Sequence, residues 1–209
     1  MRELRYPPNA PVYPTQKPSV IVPHPSALKP LHTERLILRP LRIDNDEDAT
    51  GMFEIRRRQD VIDWMWPFIT DKNITATKSW MRGKVFSSPD GAGSVGTRHF
   101  CFTIRRRNDP EEGILGAVSV NSLDPAPSVG YMLHPDAWGK GYATEAVRAI
   151  LKAWWELPRA WEFEDERVFA ATKCANLGSL RVLEKVGFKV YEYVEYGERL
   201  AFMSMAKLK

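Results

Sequence analysis

Cysteine is almost missing from this chain: Cys101 and Cys174 are the only two among 209 residues. Two thiols so far apart build neither a disulfide framework nor a zinc site, so no metal is expected and a reducing compartment fits. Long apolar runs are missing as well. No stretch reaches signal-peptide or membrane-span length, which reads as a soluble cytoplasmic protein with no membrane partner. Nor is there strong charge of one sign: 30 Lys and Arg stand against 26 Asp and Glu, a formal +4 with a pI near 9.1. That mild, mixed balance does not indicate a nucleic-acid partner. Two arginine runs, residues 56–58 and 105–107, could receive a phosphate or an acidic partner, or could be solvated surface. No internal repeat is visible.

What is present is enough hydrophobic residue, 44%, for one sizeable core. Prolines crowd the start, with eight of 16 in the first 30 residues, where few segments keep helical hydrogen bonds. Residues 1–31 therefore read as an extended arm, lying on the surface or on the second subunit of a homodimer and outside the chemistry. Residues 32–209 read as the domain. In it, residues 35–41 alternate as a strand. Asp44 to Asp48 supply acidic N-terminal residues for a helix near 45–58. The apolar loop 63–68 follows, and helical spacing returns over 75–86. Strands are expected at 99–105 and 114–121, joined as a hairpin across 108–113, and at 129–133. Ala146, Val147, Ile150, Leu151 and Trp154 recur at helical spacing until Pro158 stops them. A strand at 168–171, a helix at 177–186 ended by Gly187, and an antiparallel pair at 188–194 and 200–207 complete the order. The class is mixed α/β, and its βαβα passage favours a locally parallel crossover.

The informative junction is the strand ending at Leu133, the loop Trp138, Gly139, Lys140, Gly141, Tyr142, Ala143, and an immediate helix. It points several backbone N–H groups and the positive helix end at one spot, which suits a pyrophosphate. Glycines at 139 and 141 remove Cβ atoms that would hold phosphates away and tolerate positive φ. A P-loop reading fails, because His134 and Gly141 stand where a glycine and a Ser or Thr are required. A dinucleotide fingerprint fails as well, because Thr144 takes the place of its third glycine.

The segment from Gly130 to Ala146 resembles the acetyl-CoA segment of the GNAT superfamily of N-acetyltransferases, in the RimJ/RimL-like branch of protein N-terminal acetyltransferases. Gly141 and Ala143 match the last two fixed places of the family's Gln/Arg-x-x-Gly-x-Gly/Ala pattern, with Trp138 in the Gln/Arg place. Residues 33–41 are similar to that branch's first strand, and residues 176–188 to its last helix and turn. The resemblance spans roughly residues 31–209. It implies a central twisted mixed, mostly antiparallel sheet of six to seven strands, flanked by about four helices. The fourth and fifth strands would splay to admit the pantetheine arm of acetyl-CoA.

On that resemblance, backbone groups of Met132 and Leu133 would hold the arm, and the N–H groups from Gly139 through Lys140, Gly141, Tyr142 and Ala143 to Thr144 the pyrophosphate. Asn176 would reach the pantetheine, or serve as a helix cap. Ser179, a serine in this branch where the wider superfamily uses a tyrosine, would protonate the leaving thiolate, or only help start its helix. Many relatives carry a glutamate two residues before the Gly-Tyr pair; this chain has Ser128, which removes the obvious base. His99, Asp124 and His134 remain as replacements. Trp64, Trp66 and Phe68 would wall the acceptor, or belong to the core. The implied activity is direct acetyl transfer from acetyl-CoA to a primary amine, foremost a protein or peptide N-terminal α-amine. A small-molecule amine acceptor and an inactive CoA-binding module are the alternatives.

Overall fold

A computed structural model describes residues 13–109 and 113–207. Strands run in the order Leu31–His32 (β1), Leu36–Pro40 (β2), Phe100–Arg106 (β3), Gly116–Val120 (β4), Val129–Leu133 (β5), Arg167–Lys173 (β6), Lys189–Tyr196 (β7) and Glu198–Ala206 (β8). Helices are Asp46–Arg56 (α1), Gln59–Ile62 (α2), Ile74–Arg82 (α3), Tyr142–Glu156 (α4) and Leu177–Val186 (α5). The described residues thus hold eight strands, not six or seven, because Leu31 and His32 pair with Leu38 and Ile37. They also hold one more helix than expected, α2. Helix α3 stops at Arg82, since Gly83 caps it and Phe86 turns into the core instead. Pro110, Glu111 and Glu112 of the β3–β4 turn lie outside the described residues.

Local chemistry accounts for these elements. The Asn45 side chain accepts the Asp48 N–H at 3.0 Å, and Asp46, Glu47 and Asp48 fill the first turn of α1, so a cap and the helix dipole act together. One stripe of α4, formed by Ala146, Val147, Ile150, Leu151 and Trp154, is buried. Gly187 closes α5 at φ 106°, a left-handed turn that favours glycine.

Strands β1 to β5 form one antiparallel sheet, and β6, β8 and β7 a second. The expected parallel crossover shrinks to a single bridge between Ser128 and Phe169, where the Phe169 N–H donates to the Pro127 carbonyl at 2.9 Å. Beyond it β5 and β6 part, leaving the β5 edge open. The main core unites Leu36, Phe102, Val118 and Leu133 from the first sheet with Ile150 and Trp154 of α4 and Met203 of β8. Opposite lies a smaller cluster of Met52, Ile55, Val61, Ala117 and Met132.

Two expectations need correction here. Of the segment read as an arm, residues 1–12 lie outside the described residues, and the remainder does not merely lie on the surface, because Val20 and Val22 are 1% and 2% exposed within the main core. Gln16 is pinned as well, receiving the Arg167 N–H at 2.9 Å and donating to its carbonyl at 3.2 Å. The arginine runs are not solvated surface throughout either. Arg56 is buried against Asp71 at 2.7 Å and lies over the Trp80 ring, while Arg105 reaches Glu47 at 2.7 Å.

Candidate functional site

Where β5 and β6 part, a cavity of about 620 Å³ opens between β5, the start of α4 and the start of α5. Its α4 side is mostly backbone. Gly139 and Gly141 hold φ of 72° and 80°, values that only glycine adopts at little cost. Gly141 is the N-cap of α4 and offers no side-chain cap, and the N–H groups of residues 139–144 have no acceptor among the described residues. An uncapped helix start of this kind is a ready anion site. Gly139, Gly141, Tyr142, Ala143, Thr144 and Trp138 all line the cavity. The Lys140 side chain does not; what that residue contributes is its carbonyl, which accepts from Arg35 Nη1 at 2.9 Å.

The β5 edge corrects the backbone assignment. Ser128 C=O accepts from Asn121 N–H, and His134 N–H donates to Leu115 C=O, each at 2.7 Å. Antiparallel strands alternate the direction of these groups, so even-numbered residues of β5 are committed to β4. Met132 is therefore taken up by its partner Ala117. The outward backbone groups belong to Tyr131 and Leu133. The Leu133 carbonyl already accepts the Trp138 indole N–H at 2.9 Å, which explains a tryptophan at that loop position.

At the α5 start, Asn176 and Ser179 both line the cavity. Asn176 is the N-cap: its Oδ1 accepts the Ser179 N–H at 3.0 Å. The amide nitrogen of the same side chain remains for a ligand, so the two readings of Asn176 are compatible. The Tyr131 hydroxyl donates to the Ser179 carbonyl at 3.3 Å, tying the open strand to the helix. Burial, opposed by a hydrogen bond with the Ser179 side chain, pushes the Tyr131 pKa up to about 12. Tyr131 was not among the sequence candidates, although strand alternation around Gly130 could have placed it on the open edge.

Of the three aromatic acceptor candidates only Trp64 lines the cavity, with Met65 and Val61 beside it. Trp66 and Phe68 instead meet edge to face at 5.5 Å between ring centroids. Lys173 Nζ stands 4.0 Å from the Phe68 centroid while pairing with Glu198 at 2.7 Å. The loop is thereby held against the end of β6. Phe68 has φ 65°, a left-handed conformation costing a bulky residue about 1–3 kcal/mol.

The three candidate bases lie elsewhere. His99 is 1% exposed and lines a separate groove with Pro25 and Pro40; burial lowers its pKa to about 4. The His134 ring accepts the Asp136 N–H at 3.3 Å in the turn before Trp138. Asp124 is exposed outside the lining. Ser128 is occupied with Ser122, hydroxyl to hydroxyl at 2.9 Å. Among the described residues no carboxylate or imidazole lines the cavity; its charged side chains are Arg181 and Lys185.

Among the described residues no cluster of three or more His, Cys, Asp or Glu could hold a metal ion. None of their helices is long and apolar enough to cross a membrane.

A family model described as an acetyltransferase (GNAT) domain matches residues 35–189. Among solved structures the chain is similar to a GNAT-family acetyltransferase from Bacillus anthracis, at 19% identity and a TM-score of 0.64 over 85% of this chain and 98% of that one. It is similar to RimL, the ribosomal L7/L12 alpha-N-protein acetyltransferase in complex with coenzyme A, at 15% identity and a TM-score of 0.62 over 85% and 98%. It is also similar to the microcin C7 self-immunity acetyltransferase MccE in complex with acetyl-CoA and AMP, at 17% identity and a TM-score of 0.60 over 84% and 94%. At these identities the likeness shows the fold alone. No curated protein matches.

Proposed function

Because this chain belongs to the GNAT acetyltransferase family, it is an acetyl-CoA-dependent N-acetyltransferase, and we propose that its acceptor is the α-amine of a protein or peptide N-terminus. The observation that carries this reading is the absence of a carboxylate or imidazole from the described cavity lining. Without such a base, the acceptor must arrive already neutral. An α-amine with a pKa near 7.8 is about one-third neutral at pH 7.5, whereas a lysine or polyamine nitrogen near 10.4 is about one-thousandth neutral. The shortage of neutral amine thus disfavours the second class by roughly two hundredfold or more. The likeness to RimL, a protein named for an alpha-N-protein substrate, supports the same reading.

The geometry supports the following roles. N–H groups of residues 139–144 receive the pyrophosphate at the positive end of α4. The outward backbone groups of Tyr131 and Leu133 extend the sheet by hydrogen-bonding the pantetheine arm, and the Asn176 amide nitrogen reaches it from α5. Bound acetyl-CoA supplies the thioester that the amine attacks. Trp64 and Met65 wall the acceptor. The amine gives up its proton to solvent after attack, and Ser179 Oγ, beside the Tyr131 hydroxyl, donates to the departing sulfur near the positive end of α5.

Release of the coenzyme A thiol from acetyl-CoA, measured with three acceptors, tests the reading. A lysine-free peptide with an unblocked N-terminus is expected to turn over. An N-terminally blocked peptide containing lysine, and a polyamine, are expected to be poor. Faster release with either of the latter two would contradict the assignment.

A further inference from the structure

Glu145 occupies the first turn of α4, next to the N–H groups assigned to the pyrophosphate. An unmatched carboxylate there would repel the ligand that the helix end attracts. It is not unmatched. Arg35, which immediately precedes β2, donates to Glu145 Oε2 through Nε at 2.8 Å, with Nη2 at 2.7 Å from the same oxygen. Its backbone N–H donates to Oε1 at 2.8 Å, and Thr33 Oγ1 donates to that oxygen at 2.5 Å. Burial works against the Glu145 charge, but the bonds from Thr33 and Arg35 and the guanidinium charge hold its pKa below the ordinary range.

The same guanidinium also reaches the loop itself. Arg35 Nη1 donates to the Lys140 carbonyl at 2.9 Å, and the guanidinium carbon lies 4.9 Å from the Tyr142 ring centroid. A peptide unit is planar and trans, so its C=O and N–H point in opposite directions. Holding the Lys140 carbonyl on Arg35 therefore turns the Gly141 N–H away from Arg35. Gly141, on one side of that peptide, has positive φ, and glycine rotates easily, so this bond holds in one orientation a peptide that glycine would otherwise leave freer to turn.

Resting on the pyrophosphate reading of the loop, we propose that Arg35 is a positioning residue for the cofactor. It cancels the Glu145 charge beside the phosphate site and locks the 140–141 peptide with its N–H toward the ligand.

The test is a charge cycle on the full chain: Arg35→Met, Glu145→Gln and the double variant, with acetyl-CoA affinity measured by calorimetry and turnover by thiol release. Arg35→Met is expected to weaken acetyl-CoA binding at least roughly tenfold, comparable to losing a charge-assisted contact, and to raise its KM while kcat changes less than about twofold. The double variant is expected to recover much of that loss, because no lone carboxylate remains. S-acetylpantetheine, which has no pyrophosphate, should react with Arg35→Met as with the unaltered protein.

Unchanged acetyl-CoA affinity in Arg35→Met, or an equal loss with S-acetylpantetheine, would overturn the proposal. A double variant no better than Arg35→Met would overturn the charge role. If Arg35→Met does not fold, Arg35→Lys keeps the charge but cannot fork between Glu145 and Lys140, and it should still weaken acetyl-CoA several-fold; unchanged affinity there overturns the proposal too. Failure of the unaltered protein to bind acetyl-CoA would instead defeat the pyrophosphate reading itself.

Discussion

On the side where α4 begins, the cavity is lined largely by main chain at Gly139, Gly141, Tyr142, Ala143 and Thr144; on the opposite side it is lined by the side chains of Val61, Trp64 and Met65. The first side lies within one short run of sequence and depends on backbone conformation, which glycines announce. The second is put together from α2 and the loop after it, and its shape depends on Lys173, more than 100 residues further along the chain. A site made of N–H groups binds what every member of a family shares. A site made of side chains can change its acceptor without altering the fold.

Deleting residues 1–30 should have the largest effect and strike both sides alike, because it removes Val20 and Val22 from the common core. At roughly 1.5–3 kcal/mol for each buried valine, the melting temperature should fall on the order of 10 °C, as thermal unfolding would record. A truncated chain that melts normally would mean that the arm is not part of the core.

The two sides should separate under single substitutions. Ser179→Ala is expected to lower kcat by about 10²–10⁴ while acetyl-CoA affinity stays within a few-fold. Loss of a helix-start contact alone would instead cost about 0.5–2 kcal/mol of stability with normal turnover; kcat and melting temperature measured on one sample decide between them. Gly141→Asp forces a side chain onto φ 80°, sets its Cβ 3.3 Å from Arg35 Nη2 and adds negative charge at the anion site. Acetyl-CoA affinity should fall about a hundredfold, on the scale of strain and charge terms of 1–3 kcal/mol each, as calorimetry would show. Trp64→Ala should do the reverse, raising the acceptor KM by roughly tenfold, as for one lost aromatic contact, with acetyl-CoA binding unaltered. If Trp64→Ala weakened the cofactor and the acceptor equally, the division into two sides would collapse.

The pH profile sharpens the same comparison. With no base in the described lining, kcat/KM should rise to a plateau with a midpoint near the acceptor's own amine, about 7.8 for an N-terminus. A catalytic His99 would place the limb near its lowered pKa of about 4, because a neutral imidazole accepts protons only above its pKa. Acceptors of different amine pKa distinguish the cases: the limb should follow the acceptor.

Much of the fold was legible because its signals are local. Strand β5 and helix α5 have the expected limits, and Pro158 and Gly187 end their helices where expected. The glycine turn that opens α4 was legible for the same reason. The eighth strand was not, since a two-residue ladder leaves almost no pattern, and α2 was hidden in four residues before an apolar loop. Met132 was carried over from the family resemblance, when only the register against β4 could tell which backbone groups of β5 face outward. Trp66 and Phe68 looked like Trp64 because composition does not show that they pack against each other. Arg35 and Glu145 stood in two separate motifs, and only folding brings them together.

The most direct test is the change in melting temperature on adding acetyl-CoA, compared at equal concentration with a nicotinamide dinucleotide and with ATP. A ligand bound only by the native chain adds about 2.7 kcal/mol at one hundred times its dissociation constant. Acetyl-CoA should therefore raise the transition by several degrees, and the other two by far less. An equal rise with either nucleotide, or none with acetyl-CoA, would contradict a coenzyme A site at the start of α4.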